Sequence, residues 1–167
     1  YDPTIKKLAD IVVGTRGSTR VTVSDGAQLS AGDIVQAQWI NSSGPGAPII
    51  KALYGDAFES AGSHHWSFPG RPLVRQTLRV LSVDGNAVVL SGPLLHDANA
   101  EMPAQIAHWE GLQNVGVEDL HFEFPPSPYF GHHMERGYNG IYFTSAFDSW
   151  VRDVRVTNDD SGILTRT

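Results

Sequence analysis

The amino-acid sequence predicts an all-β protein, in which a small antiparallel barrel-like module precedes a pair of repeated coils. Three observations support this class. The 167 residues include 17 Gly and 10 Pro, a content that favours many turns over long helices. A strong hairpin pattern lies at residues 73–90, and residues 112–165 carry nearly the same pattern twice.

The repeat at residues 112–165 is the most informative part of the chain. Its first copy contains Val-Glu-Asp-Leu-His-Phe at 117–122 and Asn-Gly-Ile at 139–141. Its second copy contains Val-Arg-Asp-Val-Arg-Val at 151–156 and Ser-Gly-Ile at 161–163. Apolar residues at alternate positions predict a half-buried strand in each limb.

The two copies differ in length. Gly140 and Gly162 are about 22 residues apart, a spacing that is typical of solenoid coils. Val117 and Val151 are about 34 residues apart, so the first copy holds roughly 12 more residues between its strands. These extra residues form a loop at positions 124–138.

Three segments of the repeat resemble the coils of a known family. They are Gly-Val-Glu-Asp-Leu at 116–120, Asn-Gly-Ile at 139–141 and Asp-Ser-Trp-Val-Arg-Asp-Val at 148–154. These segments are similar to right-handed parallel β-helix proteins of the pectate-lyase-like superfamily, in particular to members that process polysaccharides. The resemblance implies right-handed parallel β-helix coils, a polysaccharide or oligosaccharide partner, and a secreted or cell-surface bacterial protein.

Composition and charge argue against several other classes. The formal net charge of −6 disfavours a nucleic-acid binder, because phosphate neutralisation needs clustered Lys and Arg. The lack of cysteine excludes disulfides and thiolate metal sites. No apolar run approaches the ~20 residues of a membrane span. Two coils alone would expose a stacking face, so we expect further coils of a longer parent chain or self-association.

The sequence predicts three segments: an N-terminal coil segment at residues 1–19, a small antiparallel β module at 20–110, and parallel β-helix coils at 111–167. The first assignment is implied by the resemblance, because β-helix families sometimes carry such a module among their early coils. Within the module, the clearest hairpin lies at 73–90, with Asp-Gly-Asn as its turn. A short helix is expected at 49–54.

The loop at residues 124–138 carries the richest set of candidate ligand-binding side chains. The substrate-binding candidates in it are Tyr129, His132, Arg136 and Tyr138. Aromatic rings stack on sugar faces, and guanidinium groups make bidentate hydrogen bonds to sugar substituents. The alternative is a packed excursion that covers a coil and leaves its histidines solvated. A metal site that joins Glu135 to His132 or His133 is a further alternative, although adjacent histidines point apart in most conformations.

The Asp159-Asp160 pair is the main catalytic candidate, together with Glu135 and His133. Its surroundings, Thr-Asn-Asp-Asp-Ser-Gly at 157–162, resemble a region of polygalacturonase-type β-helix hydrolases in which carboxylates act as acid and base. Inverting hydrolysis needs two carboxyl groups about 6.5–9.5 Å apart with opposed protonation states. The downstream His and Arg-x-Lys of that family are missing here, so a complete site of that type is absent. Alternatively, these Asn and Asp residues only cap a turn.

A lyase is the alternative enzyme class. The β-helix pectate lyases hold Ca²⁺ with aspartates and use an Arg or Lys base, so the resemblance makes Ca²⁺ a candidate cofactor. Asp153, Asp159 and Asp160 lie close in sequence to Arg152 and Arg155. Because the separation of the two arginines is odd, we expect them on opposite strand faces. At most one of them then joins a single cluster, and Arg152 is also a substrate-binding candidate.

Trp66, within the Gly/Pro-bounded segment 62–71, is the last substrate-binding candidate. It forms a platform for sugar stacking, a plug of the small barrel, or part of the seam between the barrel and the coils. Together these features predict a polysaccharide-active protein, either a glycoside hydrolase or a lyase. A glycan that contains uronic acids is one candidate substrate. The alternatives are a non-catalytic carbohydrate-binding module and a structural solenoid fragment that self-associates.

Overall fold

The computed structural model describes residues 6–42, 46–55, 70–131 and 133–166. Nearly all of the regular structure within these ranges is β, which confirms the predicted all-β class. The chain divides into two compact units, of which the first ends at Trp109 and the second begins at Glu110. In the described part of the chain, no helix is long and apolar enough to cross a membrane.

The first unit is a closed antiparallel barrel. Its strands are β1 (Lys7–Gly14), β2 (Arg20–Val23), β3 (Ile34–Ile40), β4 (Pro72–Asp84), β5 (Ala87–Leu90) and β6 (Ala104–His108). Their order around the barrel is β1-β2-β5-β4-β3-β6, and β6 closes the barrel by pairing with β1. A short helix, α1 (Pro48–Tyr54), follows β3 and buries Ile49 and Ile50.

Strand β3 is the most buried strand of the barrel, since both of its faces are covered. Ala37 and Trp39 lie in the apolar core, where burial of a large apolar side chain contributes about 1.5–3 kcal/mol. The Trp39 indole N–H donates to the Asp97 carbonyl at 2.8 Å, so its polar atom is satisfied within the core. The Gln38 side-chain amide donates to that of Gln36 at 2.7 Å. These hydrogen bonds offset the cost of burying polar groups.

The barrel contains a strand that the sequence interpretation places elsewhere. Residues 1–19 are expected in a separate coil, but in the structure β1 pairs with β2 on one side and with β6 on the other. Without β1, both neighbours would present open edges, so barrel closure determines where this strand lies. The predicted hairpin is confirmed, because β4 and β5 are antiparallel neighbours. Their last pair before the turn is Asp84 with Ala87. Trp66 lies outside the described residues.

The second unit contains the same order of strands twice. The first copy comprises β7 (Leu112–Gln113), β8 (Gly116–Glu118), β9 (His121–Glu123) and β10 (Asn139–Thr144). The second copy comprises β11 (Ala146–Phe147), β12 (Trp150–Arg152), β13 (Arg155–Thr157) and β14 (Ser161–Arg166). Each strand of the first copy pairs in parallel with its equivalent in the second, forming four two-stranded sheets. Equivalent residues therefore lie side by side, as Val117 does with Val151.

The turns between these short strands depend on residues with a left-handed backbone. Asn114, Asp119, Asp148, Asp153 and Asn158 have φ between 50° and 58°. Asn and Asp adopt this conformation more readily than other non-glycine residues, because their short polar side chains bond locally. The Asp of the repeated apolar–x–Asp–apolar pattern therefore ends a strand. Each limb that the sequence predicts as one strand is consequently two strands joined by a turn.

The turn at Asp153 also corrects the expected placement of Arg152 and Arg155. The alternation of side chains applies only within one strand, whereas Asp153 separates β12 from β13. Both arginine side chains are exposed. The prediction that they lie on opposite faces of one strand is therefore wrong.

The two copies approach each other closely at the Gly-Ile dipeptides of 139–141 and 161–163. In the β10–β14 pair, Gly140 lies between the residues that pair with Ser161 and Ile163. A Cβ atom on Gly140 would come within 2.6 Å of the Gly162 carbonyl oxygen and 3.2 Å of the Val156 side chain. Any side chain at this position would therefore push the two strands apart.

We expect Gly140→Ala to destabilise the second unit by about 1–3 kcal/mol, because the added methyl group overpacks backbone that cannot move away cheaply. Urea denaturation followed by tryptophan fluorescence measures this loss. Gly46→Ala is the matched control, since a Cβ atom there would meet nothing within 4 Å. Equal stability of the two variants would contradict the close-approach explanation.

His96 provides a pH-sensitive contact in the first unit. Its ring lies edge-on to Trp39, with the ring centroids 5.7 Å apart. Burial, reinforced by the positive charge of Arg16 and opposed by Asp97, lowers the pKa of His96 below its ordinary value of 6.5. The folded barrel therefore favours the neutral imidazole.

As pH falls, the unfolded chain takes up the His96 proton before the folded chain does, so the folded state loses stability. The contribution of the neutral ring is complete above pH 6.5 and disappears as pH falls through the lowered pKa. We expect His96→Gln to flatten the decline in unfolding free energy on acidification, measured by urea titrations at a series of pH values. An unchanged slope would refute the assignment to His96.

Candidate functional site

The loop at residues 124–138 connects β9 to β10 and is closed at its base by two aromatic rings. Phe124 and Tyr138 stack with their centroids 5.1 Å apart and their planes 5° from parallel. Stacked aromatic pairs contribute about 0.5–1.5 kcal/mol beyond their buried area. The two ends of the loop are thereby held together.

Polar contacts from the second copy reinforce this base. The Asn158 side-chain amide donates to the Phe124 carbonyl at 3.0 Å. The Tyr138 backbone N–H donates to a carboxylate oxygen of Asp160 at 2.7 Å. In return, the Asp160 backbone N–H donates to the Tyr138 carbonyl at 2.9 Å. Asp160 and Asn158 therefore connect the loop to the turn between β13 and β14.

The far side of the loop presents apolar side chains to solvent. Tyr129 is 73% exposed, and Phe130 and Met134 are exposed as well. A turn within this region is closed by the Met134 N–H, which donates to the Gly131 carbonyl at 3.0 Å. Large apolar side chains that stay exposed on one loop are candidates for ligand binding. Phe130 and Met134 were not among the predicted site residues, although their position in a Pro-rich loop beside Tyr129 was visible in the sequence.

The predicted catalytic residues have different surroundings. The Asp160 carboxylate accepts from the Tyr138 backbone N–H, which lies 22 positions away and outside the local turn. Asp159 is half-buried, with a carboxylate oxygen 3.1 Å from the point that a Gly162 Cβ would occupy. Glu135 is also half-buried, and His133 is exposed with a φ of 63°. The catalytic roles of Asp159, Glu135 and His133 stay predictions.

The remaining candidates lie in several places. Arg136 is exposed on the loop, and Tyr138 belongs to the loop base. Arg152 lies away from the loop base on β12, where it binds Glu118. His132, like Trp66, is outside the described residues. Within the described ranges, no group of three or more His, Asp or Glu side chains is placed to hold a metal ion.

An open apolar depression of about 410 Å³ is lined by residues of both copies. Its lining includes Phe143 of β10 in the first copy, and Phe147, Trp150, Val151 and Ile163 in the second. The described catalytic candidates are not among its lining residues.

Comparisons with known proteins give limited matches. No protein-family model matches the chain. It is 25% identical over 158 residues to the probable rhamnogalacturonase E of Aspergillus niger, a match that covers 83% of this chain. The chain spans 34% of the length of that curated relative.

Among solved structures, the tailspike gp61 of Pseudomonas phage phi297 matches 98% of this chain with a TM-score of 0.52 and 16% identity. This chain covers 31% of that tailspike. The tailspike gp49 of Pseudomonas phage LKA1 matches 97% of this chain and 22% of its own, with a TM-score of 0.47 and 14% identity. The first of these matches shows a shared fold.

We expect Asp160→Ala to loosen the loop base, because the Tyr138 N–H loses a charged acceptor that contributes on the order of 1 kcal/mol. Hydrogen exchange of the Tyr138 amide should become several-fold faster. Asp160→Asn is the matched control, since its amide oxygen still accepts the same hydrogen bond. Exchange that is unchanged in the Ala variant would show that the carboxylate does not hold the loop.

Proposed function

We propose that the second unit is two coils of a right-handed parallel β-helix and belongs to a secreted or cell-surface polysaccharide-active protein. The four parallel strand pairs, repeated in the same order, support the coil interpretation. The shared fold with a phage tailspike is consistent with it. The similarity to a probable rhamnogalacturonase supports a polysaccharide as the ligand.

The observation that carries the proposal is the loop at 124–138, which is fixed at its base and apolar at its exposed side. Tyr129 holds a ring that is 73% exposed, with Phe130 beside it in sequence. Sugar rings present C–H faces that pack on such aromatic surfaces, while their hydroxyl groups bond to nearby polar side chains. Arg136 and His133 supply polar groups on the same loop. A base that is already ordered reduces the entropy lost when a glycan binds.

Hydrolysis is the reaction that we favour, because the curated relative is named a probable rhamnogalacturonase and its name does not designate a lyase. We propose Asp159 and Glu135 as acid and base, because both are half-buried carboxyl groups, one on the turn between β13 and β14 and one on the loop. The hydrogen bonds between Tyr138 and Asp160 hold the chain near Glu135 beside the turn that carries Asp159. Two carboxyl groups with opposed protonation states suffice for this chemistry.

A non-catalytic carbohydrate-binding module is the second candidate. It is favoured by the exposed apolar side chains of the loop, Tyr129, Phe130 and Met134, which need no acid or base to bind a sugar. In this version the exposed aromatic side chains bind the glycan, and no bond is cleaved.

Incubation of the full chain with neutral and uronate-containing polysaccharides tests the enzyme proposal. We expect new reducing ends without the ultraviolet absorbance of the unsaturated product that a lyase makes. Asp159→Asn and Glu135→Gln should each lower the rate by about 10²-fold or more, as expected for removal of a general acid or base. Glu123→Gln is the matched control, because Glu123 is an exposed carboxylate on β9.

The outcomes separate the two candidates. Glycan binding that weakens on Tyr129→Ala, with no cleavage by the folded wild-type chain, would favour the binding module. Cleavage that survives both carboxylate substitutions would refute the assigned acid and base. Absence of both binding and cleavage across the panel would overturn the polysaccharide function.

A further inference from the structure

A second exposed cluster lies on the β8–β12 pair, away from the loop base. In this pair Trp150 lies beside Gly116, and Arg152 lies beside Glu118. Because side chains alternate along a strand, these residues share one face, while Val117 and Val151 point to the other. The parallel register thus brings an aromatic ring, a carboxylate and a guanidinium onto one surface.

The indole of Trp150 is held in a defined position. It covers Gly116 so closely that any side chain at this position would collide with the ring. The indole N–H donates to one carboxylate oxygen of Glu118 at 2.5 Å. The ring nevertheless stays 44% exposed. A large apolar ring that is fixed yet open to solvent is preorganised for a ligand that packs on it.

Glu118 binds both of its neighbours. Its second carboxylate oxygen accepts from an Nη atom of Arg152 at 2.6 Å, in an ion pair whose side chains are 31% exposed for Glu118 and 64% for Arg152. The positive charge of Arg152 is therefore largely neutralised. Guanidinium carries five N–H donors, so donors remain on Arg152 beside acceptor sites on Glu118.

The Glu118–Arg152 ion pair favours neutral sugars over uronates. The hydroxyl groups of a neutral pyranose both donate and accept, so a vicinal pair can bond to Glu118 and Arg152 at once. A uronate carboxylate would instead compete with Glu118 for Arg152 and be repelled by the negative charge of Glu118. The net charge of −6 on the chain adds to that disadvantage.

We propose that Trp150, Glu118 and Arg152 form a subsite for one neutral pyranose unit of a glycan. The sugar ring packs on the indole, and two adjacent hydroxyl groups bond to the ion pair. The inference rests on the polysaccharide function proposed above and specifies the substrate class at this surface. It does not depend on Asp159, Glu135 or any cleavage step.

Titration of the full-length chain with a neutral oligosaccharide series and with oligogalacturonate, followed by the indole N–H signal of Trp150 in NMR spectra, tests the subsite. The signal is assigned from its loss in Trp150→Phe. We expect it to shift with neutral oligosaccharides and not with oligogalacturonate. Trp150→Ala should weaken neutral binding about tenfold, and Arg152→Ala about fivefold, from loss of packing and of charged hydrogen bonds.

Glu118→Gln is the most discriminating variant. Its amide oxygen still accepts the indole N–H, so the ring stays in place, while Arg152 loses its counter-charge. We expect neutral binding to fall several-fold and oligogalacturonate binding to rise several-fold, because Arg152 becomes free to pair with a uronate. Thermal melting checks that the variant stays folded. Glu123→Gln, which removes an exposed carboxylate from β9, controls for the change in net charge.

Each outcome of these titrations either supports or overturns the proposed subsite. A Trp150 signal that does not move while glycans are bound or cleaved would overturn the subsite and leave the polysaccharide function standing. Tighter wild-type binding of oligogalacturonate than of neutral oligosaccharides would overturn the assigned sugar class. If no glycan of either class binds or is cleaved, the polysaccharide function itself fails, and the subsite fails with it.

Discussion

The second unit depends on parallel pairing in which each residue lies beside its equivalent in the other copy. This register places like residues together, as with Val117 and Val151, and it makes every local feature occur twice. Turns need a left-handed residue at equivalent positions, which explains Asp119 and Asp153. The proposed sugar subsite lies where the two copies differ at an aligned position, with Gly116 beside Trp150.

Much of the fold was predictable because it follows from short-range patterns. The β4–β5 hairpin and the doubled strands of the second unit were visible as alternation, turn residues and repetition. The placement of β1 was not, because it depends on barrel closure by strands that are distant in sequence. The predicted side-chain directions of Arg152 and Arg155 were wrong, because the backbone conformation of Asp153 changes the chain direction between them.

The sequence predicts the loop at 124–138 as the candidate site, whereas the contacts of its individual residues depend on strand pairing that the sequence does not show. The loop stood out by its length and composition. The engagement of Asp160 by the Tyr138 backbone requires knowledge of which strands pair, since these residues lie 22 positions apart. The grouping of Glu118 with Trp150 likewise needs the register between copies, because they are 32 positions apart and belong to no local motif.

The anchoring of the loop has a consequence for how such a protein can diversify. Its Phe124 and Tyr138 ends meet each other, so the strands on either side are joined as if by a short turn whatever lies between. Equivalent residues before the loop are 34 positions apart, while those after it are 22 apart, and both sets still pair in register. Insertions, deletions and exchanges within the loop are thus uncoupled from the strand pairing. The side chains of the proposed glycan-binding loop can therefore change without altering the register of the strands that carry it.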